Sequence, residues 1–417
     1  MLDAYRVYLL IGAGAALFVG ILDPIVAVYY VRVVGLNPIE LVLLGTIVEA
    51  TSFLCQVPTG VIADAYSRRL AVIVGYLLEG VCFTLQGLFP LLLVIAGAEL
   101  LRGVGRTFIN GALEAWIADE IGERRVGAAF IRNTQIKQIA GVVGTAVGAG
   151  IATIALGLPL LIGGLGLLAL TAGLVVVMPE HNHRRAPRDE RGSWHVVVGT
   201  ARAGVGAIRG QPVLITFLGL WGVFALCTEG MDRLWEAHLL ASFTFPTFGG
   251  LDSVVWFGAI NVAFMLGSVV VAEVVRRTVD TTNGPTAARV LFVFSAVRVV
   301  GVVVFGLAGS FEVAVGAYLV SMVLRSVSQP IFTGWVNRSL DPRTRATVLS
   351  MGGQVDAAGQ LTGGPLIGLI GQLVSLRAAM VAAGLVLAPA LPLIARATAQ
   401  EGRSTRAPRL DQPAEVI

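Results

Sequence analysis

The chain has 417 residues, of which 56% are hydrophobic and only 13% are charged, and its mean hydropathy is +0.81. A soluble domain carries about twice that charged fraction, so the composition excludes an ordinary soluble protein and predicts an integral membrane protein. We attribute the formal net charge of +4 to membrane-insertion signals and lipid contacts, and we expect no nucleic-acid partner.

Twelve apolar segments have lengths close to the roughly 20 residues that a helix needs to cross hydrocarbon. We number them spans 1 to 12, and the predicted cores are Tyr5–Val31, Pro38–Val57, Leu70–Leu88, Leu91–Ala118, Phe130–Leu156, Pro159–Met178, Pro212–Leu240, Val254–Val275, Pro285–Leu307, Phe311–Val336, Thr347–Leu373 and Leu376–Ile394.

The spans fall into two sets of six. We predict one bundle over residues 1–180 and a second over 212–397, related as a weak internal repeat because Arg276 and Arg277 follow span 8 as Arg68 and Arg69 follow span 2. Residues 181–211 are predicted to form a cytoplasmic linker, in which the stretch from Trp194 is either an interfacial helix or a flexible chain. Residues 398–417 are expected to be a disordered cytoplasmic tail.

Arginine placement orients the chain. The loops that contain several arginines and the tail fall on one side, whereas the turns Gln86–Pro90 and Leu156–Pro159 on the other side contain no Lys or Arg. Because positive charge stays inside, this predicts a multi-pass protein of the plasma or inner membrane with both termini cytoplasmic.

Two acids in the first two spans are candidates for proton coupling. Asp23 directly precedes Pro24 in span 1, and a proline at that depth bends a helix. Ionisable groups inside spans usually face a cavity or a partner, so Asp23 is predicted to carry a proton. The alternative is an acid that reaches water at the outer membrane face. Glu49, in the middle of span 2, is the second candidate.

The turn between spans 2 and 3 reads GVIADAYSRR. It resembles the signature loop of the major facilitator superfamily, G-x-x-x-D-(R/K)-x-G-(R/K)-(R/K), through Gly60, Asp64, Arg68 and Arg69, and it departs from that loop at positions 65 and 67. The resemblance implies a twelve-helix transporter in which this turn is a gating latch between the two bundles. The alternative is a basic loop that only sets topology.

Span 4 carries polar side chains at spacings of three or four residues, which places them on one helix face. This stripe consists of Glu99, Arg102, Arg106, Asn110 and Glu114. We predict that the stripe lines a cavity, with Glu114 as a further proton carrier; the alternative is a buried salt-bridge network. Glu99 is expected to pair with Arg102, which would leave Arg106 more available.

Drug–proton antiporters of the superfamily often carry R-x-x-Q-G-x-G-A-A in span 4. Here Glu99 stands at the usual arginine position, so the role of that arginine is not transferred to it.

In span 5 the glycines recur at a spacing typical of a close packing face, and they are Gly141, Gly144, Gly148 and Gly150.

The second half repeats the pattern of charges inside spans. In span 7, Glu229, Arg233 and Glu236 share a face, which predicts either an outer gate of ion pairs or charges solvated at the membrane surface. Spans 10 and 11 supply further candidates for a substrate cavity, with an Arg325–Asp356 contact expected and Asp356 as a proton carrier; these are Arg325, Gln329, Asp356 and Gln360.

These features predict a secondary active transporter that moves a small organic compound by alternating access. The leading form is proton-coupled efflux of amphipathic drugs by a monomer. The alternatives are an uptake symporter for an organic anion, in which the arginines clamp the substrate, a translocator of lipid or lysolipid, and a receptor or scaffold without flux. The sequence predicts no enzyme, no metal and no cofactor, since it lacks a nucleotide-binding loop and a nucleophile elbow.

Overall fold

A computed structural model describes residues 3–182, 212–246, 253–280, 283–340 and 345–406. The stretch from Trp194 and residues 407–417 of the predicted tail lie outside the described residues. The helices are α1 Ala4–Tyr29, which continues as a π-helical turn over Tyr30–Val34, α2 Pro38–Ala65, α3 Arg68–Leu88, α4 Leu92–Ile109, α5 Ala112–Ile121, α6 Glu123–Ala152, α7 Leu158–Val177, α8 Pro212–Ser242, α9 Ser253–Thr278, α10 Gly284–Leu307, α11 Phe311–Arg338, α12 Arg345–Leu373, α13 Leu376–Leu387 and α14 Ala390–Arg406.

The predicted twelve-span, all-helical architecture is confirmed. Span 4 is formed by α4 with α5, and span 12 by α13 with α14. By length and composition, nine described helical segments could each cross a membrane. The other three predicted spans are numbers 4, 5 and 11, where a break, glycines or polar side chains lower the mean hydropathy.

Span 4 is not one continuous helix. The break lies at Asn110 and Gly111, where Gly111 adopts φ +81°, a conformation that residues with a Cβ rarely adopt. The Gly111 amide donates a hydrogen bond of 3.2 Å to the Glu114 carboxylate, which caps the first turn of α5. The predicted stripe of five polar residues therefore does not continue along a single helix face.

The two halves use the same close helix pair. Helix α1 packs along α6 in the first half, and α8 packs along α12 in the second. A methyl group at Gly148 would lie 2.0 Å from the Ile21 carbonyl oxygen, and one at Gly363 would lie 2.0 Å from that of Leu226. The predicted packing face of span 5 is confirmed, although Gly150 faces open space.

The halves join at the end of the spans where α2 begins and α12 ends. A methyl group at Gly368 of α12 would lie 3.1 Å from Val42 of α2, and one at Gly371 would lie 3.1 Å from Pro38. One hydrophobic cluster extends through both halves at this end. Near the α2–α3 turn, in contrast, a separate cluster stays within the first half, and Gly60 faces open space.

Helix α14 extends to Arg406, well into the segment predicted to be disordered. The Glu401 carboxylate accepts a hydrogen bond of 2.8 Å from the Trp335 indole and another from the Ser339 hydroxyl. These contacts hold α14 against α11 at Glu401, and the disordered tail stays a prediction.

Gly148→Ala should destabilise the protein by about 1–3 kcal/mol, because the added methyl group meets backbone that cannot move independently of the helix. Gly150→Ala, two residues later on the same helix, is the control and should change stability little. Thermal unfolding of both variants in detergent measures their stability. Equal losses of stability in the two variants would contradict the close α1–α6 packing.

Candidate functional site

A cavity of about 630 Å³ lies between the two halves. Seven carboxylates and four guanidinium groups line it, and they are Asp23, Glu49, Glu99, Glu229, Asp232, Glu236, Asp356, Arg102, Arg106, Arg233 and Arg325. A side chamber of about 400 Å³ adjoins the cavity and shares Thr228, Arg325, Asp356 and Gln360 with it. Charges drawn from six different spans are thus assembled around one space.

The first ion pair is the most deeply buried. Arg102 Nε donates to Glu99 Oε2 at 2.6 Å, and the Glu99 side chain is only 2% exposed. Glu99 Oε1 accepts 2.9 Å hydrogen bonds from Gln86 Nε2 and the Tyr30 hydroxyl. The predicted Glu99–Arg102 pair is therefore confirmed, and it is embedded in a network that joins α1, α3 and α4.

Tyr30 reaches this network from the point where α1 changes its winding. It is the first residue of the π-helical turn, one residue after α1 ends at Tyr29. Such turns re-aim side chains and often occur at functional sites. The Tyr29 hydroxyl donates to the Gln86 carbonyl at 2.7 Å, so consecutive tyrosines fix α1 against α3.

Arg106 is not left available, contrary to the sequence-based expectation. Its Nη1 atom lies 3.0 Å from Glu49 Oε1 on α2. The pair is partly exposed to the cavity, with 39% of the Arg106 side chain and 20% of the Glu49 side chain accessible. The sequence gives no register between spans 2 and 4, so this partner could not be predicted.

Two more ion pairs stand in the second half. Arg233 donates to Glu229 at 2.8 Å within α8. Arg325 on α11 forms a two-pronged pair with Asp232, at 2.5 and 2.9 Å. The expected Arg325–Asp356 contact is wrong, because Asp232 of α8 holds Arg325.

Three cavity carboxylates have no cationic partner among the described residues: Asp23, Glu236 and Asp356. Glu236 is 5% exposed, and its Oε2 atom is buried without a hydrogen bond. Asp23 on α1 and Glu236 on α8 line the same cavity from opposite halves. Asp356 accepts a 2.7 Å hydrogen bond from Gln360. The cavity therefore holds an excess of acid after its arginines are neutralised.

Only some of the remaining predicted cavity residues line a cavity. Gln329 lines the side chamber, whereas Asn110 and Glu114 are not among the residues that line either space. The break after α4 directs α5 away from the stripe, which explains their absence. Within the described part of the chain, no group of three or more His, Cys, Asp or Glu side chains is arranged to hold a metal ion.

The α2–α3 turn is tied to its own half. Arg68 Nη2 lies 3.0 Å from Asp64 Oδ1, and Nη1 lies 2.5 Å from Asp119 Oδ2 at the end of α5. The Arg69 amide donates to Glu180 after α7 at 2.9 Å. The Asp64 side chain is 54% exposed. These partners all belong to the first half, so the latch between halves stays a prediction.

Sequence reasoning missed Tyr30 and Gln86. Tyr30 follows Asp23 by seven residues, or two helical turns, which would have placed both on one face. Gln86 offers no such signal, since it is one polar residue near the end of an apolar span. Its importance depends on the packing of α3 against α4, which only the tertiary structure shows.

Residues 8–356 match the sequence model of the Major Facilitator Superfamily. The chain belongs to this superfamily. Its members act on small-molecule substrates within the membrane, usually as monomers. The chain is accordingly a multi-pass secondary transporter.

Known relatives are distant in sequence and similar in fold. The uncharacterized MFS-type transporter YxaM of Bacillus subtilis (strain 168) is 23% identical over 120 residues, which cover 29% of this chain and 30% of that protein. The structure of the nucleoside transporter NupG aligns with a TM-score of 0.73 at 12% identity, covering 96% and 99% of the two chains. The structure of a bacterial homolog of the human lysosomal transporter Spinster, inward-facing and unoccupied, aligns with a TM-score of 0.74 at 14% identity, and the alignment covers 97% of this chain and 99% of that chain.

Glu99→Gln should destabilise the protein by about 3–5 kcal/mol, because it leaves the Arg102 guanidinium buried without a counter-charge. Glu49→Gln is the control and should cost less, since 20% of the Glu49 side chain is accessible against 2% of Glu99. Unfolding by SDS titration compares the two variants. If Glu49→Gln lowered the stability of the protein as much as Glu99→Gln, burial would not determine how much each ion pair stabilises it.

Proposed function

We propose that this transporter exchanges protons for small amphipathic organic cations and exports them, as in drug efflux. The observation that carries the proposal is the charge balance of the cavity: its four arginines are each paired with a carboxylate, and three carboxylates remain. Unpaired acids in a cavity between apolar spans bind either protons or an organic cation.

Competition for these acids couples the movement of protons to the movement of the organic cation. A cation that binds beside Asp23 or Glu236 replaces the protons that otherwise neutralise them, so one occupant leaves when the other enters. The cost of burying an uncompensated carboxylate opposes a conformational change with neither bound. The exchange therefore needs no contact between substrate and proton.

Asp23 and Glu236 are suited to couple protonation to the motion of the halves. One lies on α1 and the other on α8, near the end where the halves join. Two ionised carboxylates repel each other, whereas a protonated pair does not. Proton loss therefore favours separation at this end, which is the motion that alternating access requires.

The paired arginines weigh against the organic-anion symporter. An anion that bound Arg102, Arg233 or Arg325 in the main cavity would have to compete with a carboxylate at 2.5–2.8 Å. Breaking the Glu99–Arg102 pair in particular is costly, because the Glu99 side chain is only 2% exposed and would be left without its counter-charge.

We also propose that the cell membrane holds the chain with the arginine-rich turns and both termini in the cytoplasm. The α2–α3 turn then lies at the cytoplasmic end, where the halves are apart in this conformation. The half-exposed Asp64 carboxylate is positioned to meet the second half when that end closes. This is the latch predicted for the turn.

Asp23→Asn should reduce ethidium-driven proton movement at least about tenfold while ethidium still binds, because two other acids remain for the cation. The protein is reconstituted in vesicles that contain a pH-sensitive dye, and binding is followed by fluorescence anisotropy. Glu312→Gln, an exposed acid at the start of α11 that is outside the cavity, is the control.

Unchanged proton movement in Asp23→Asn would remove Asp23 from the coupling mechanism. If neither ethidium nor tetraphenylphosphonium moved protons in the wild type, but the anion p-aminohippurate did, the uptake symporter would replace the proposed efflux.

Arg68→Gln should slow ethidium transport about tenfold without changing ethidium affinity, if the turn is a latch. Its effect should be non-additive with Asp119→Asn, since the two side chains form one contact. Arg276→Gln, at the equivalent turn of the second half, is the control, because Arg276 is 70% exposed and pairs with Glu273 on its own helix. Equal effects of Arg68→Gln and Arg276→Gln would contradict the latch.

A further inference from the structure

One buried arginine differs from the others around the cavity. Arg298 of α10 lines the side chamber and is only 5% exposed. Its Nε atom is buried without a hydrogen-bond partner. It forms no ion pair with any described residue, and its guanidinium carbon lies 5.9 Å from the centre of the Phe224 ring.

This isolation is costly in a membrane protein. The four arginines of the main cavity each have a carboxylate within 3.0 Å. A buried guanidinium without an anion has lost its hydration and gained little in return, and the face of an aromatic ring compensates only about 2 kcal/mol. The side chamber therefore presents a preformed guanidinium group without an ion-pair partner among the described residues.

We infer that the side chamber binds a carboxylate group of the transported compound, with Arg298 as its partner. A guanidinium group matches a carboxylate with two parallel hydrogen bonds. Gln329, which also lines the chamber, supplies an amide donor. Asp356 lines the same space and repels additional negative charge, which favours a singly charged carboxylate over a phosphate dianion.

The walls of the chamber favour a flat or apolar body next to that carboxylate. Phe224 and Phe332 both line it and meet edge to face, with ring centres 5.5 Å apart. Such rings pack well against another aromatic or aliphatic group.

This inference deepens the proposed function and rests on it for the cationic end of the substrate. The main cavity has acids in excess, and the adjoining chamber has one buried guanidinium group that forms no ion pair with a described residue. The substrate class that satisfies both is a compound that carries a cationic centre and a carboxylate on an apolar frame.

Benzoate and benzamide test the chamber directly, because they have similar shapes and differ in charge. Benzoate should raise the apparent melting temperature of the purified wild-type protein, and benzamide should not. Arg298→Gln should weaken benzoate binding at least about tenfold. Arg377→Gln is the matched control, since Arg377 also lies 5.9 Å from a phenylalanine ring, that of Phe243, but lines neither space.

Arg298→Lys keeps the charge without the planar fork, and its benzoate affinity should fall between those of the wild type and Arg298→Gln. It also provides the comparison if Arg298→Gln fails to fold. Benzoate binding that is undetectable in the wild type, or equal in the wild type and the Arg298 variants, would overturn the inference. Loss of ethidium-driven proton movement with Arg298-dependent benzoate binding intact would instead overturn the proposed function alone.

Discussion

A charge held inside a hydrocarbon layer needs a counter-charge, and this requirement organises the centre of the molecule. Arg102, Arg106, Arg233 and Arg325 come from three helices, and each is joined to a carboxylate within 3.0 Å. Two of the pairs stay within one helix and two connect different helices. The pairs between helices fix which faces of α2, α4, α8 and α11 turn inward, so the polar centre specifies the arrangement of an otherwise apolar bundle.

Close backbone packing makes room for that polar centre. Where α1 meets α6, and where α8 meets α12, glycines let the helices approach so tightly that an added methyl group would meet backbone. Each half is therefore a compact body that can move as a unit. The larger, charged side chains are left to the space between the bodies, which is where a transported compound has to pass.

The proposed function depends on the charged side chains that form no ion pair. Asp23, Glu236 and Asp356 form no ion pair in the main cavity, and Arg298 of the side chamber forms none with any described residue. Paired charges hold the structure, whereas unpaired charges attract protons or ligands of opposite sign. In the proposed mechanism, a substrate with two charges aligns between the acids of the main cavity and Arg298 of the side chamber.

The sequence by itself determined the class of protein, the twelve spans, the superfamily and most of the charged residues around the cavity, because the cost of burying charge makes such residues conspicuous in apolar segments. The pairing within α4, Glu99 with Arg102, also followed from helical spacing. Only the tertiary structure decided the pairs between helices, the break after Asn110 and the place of Gln86. These depend on the register and rotation of one helix against another, which packing of the whole bundle sets and no local pattern records.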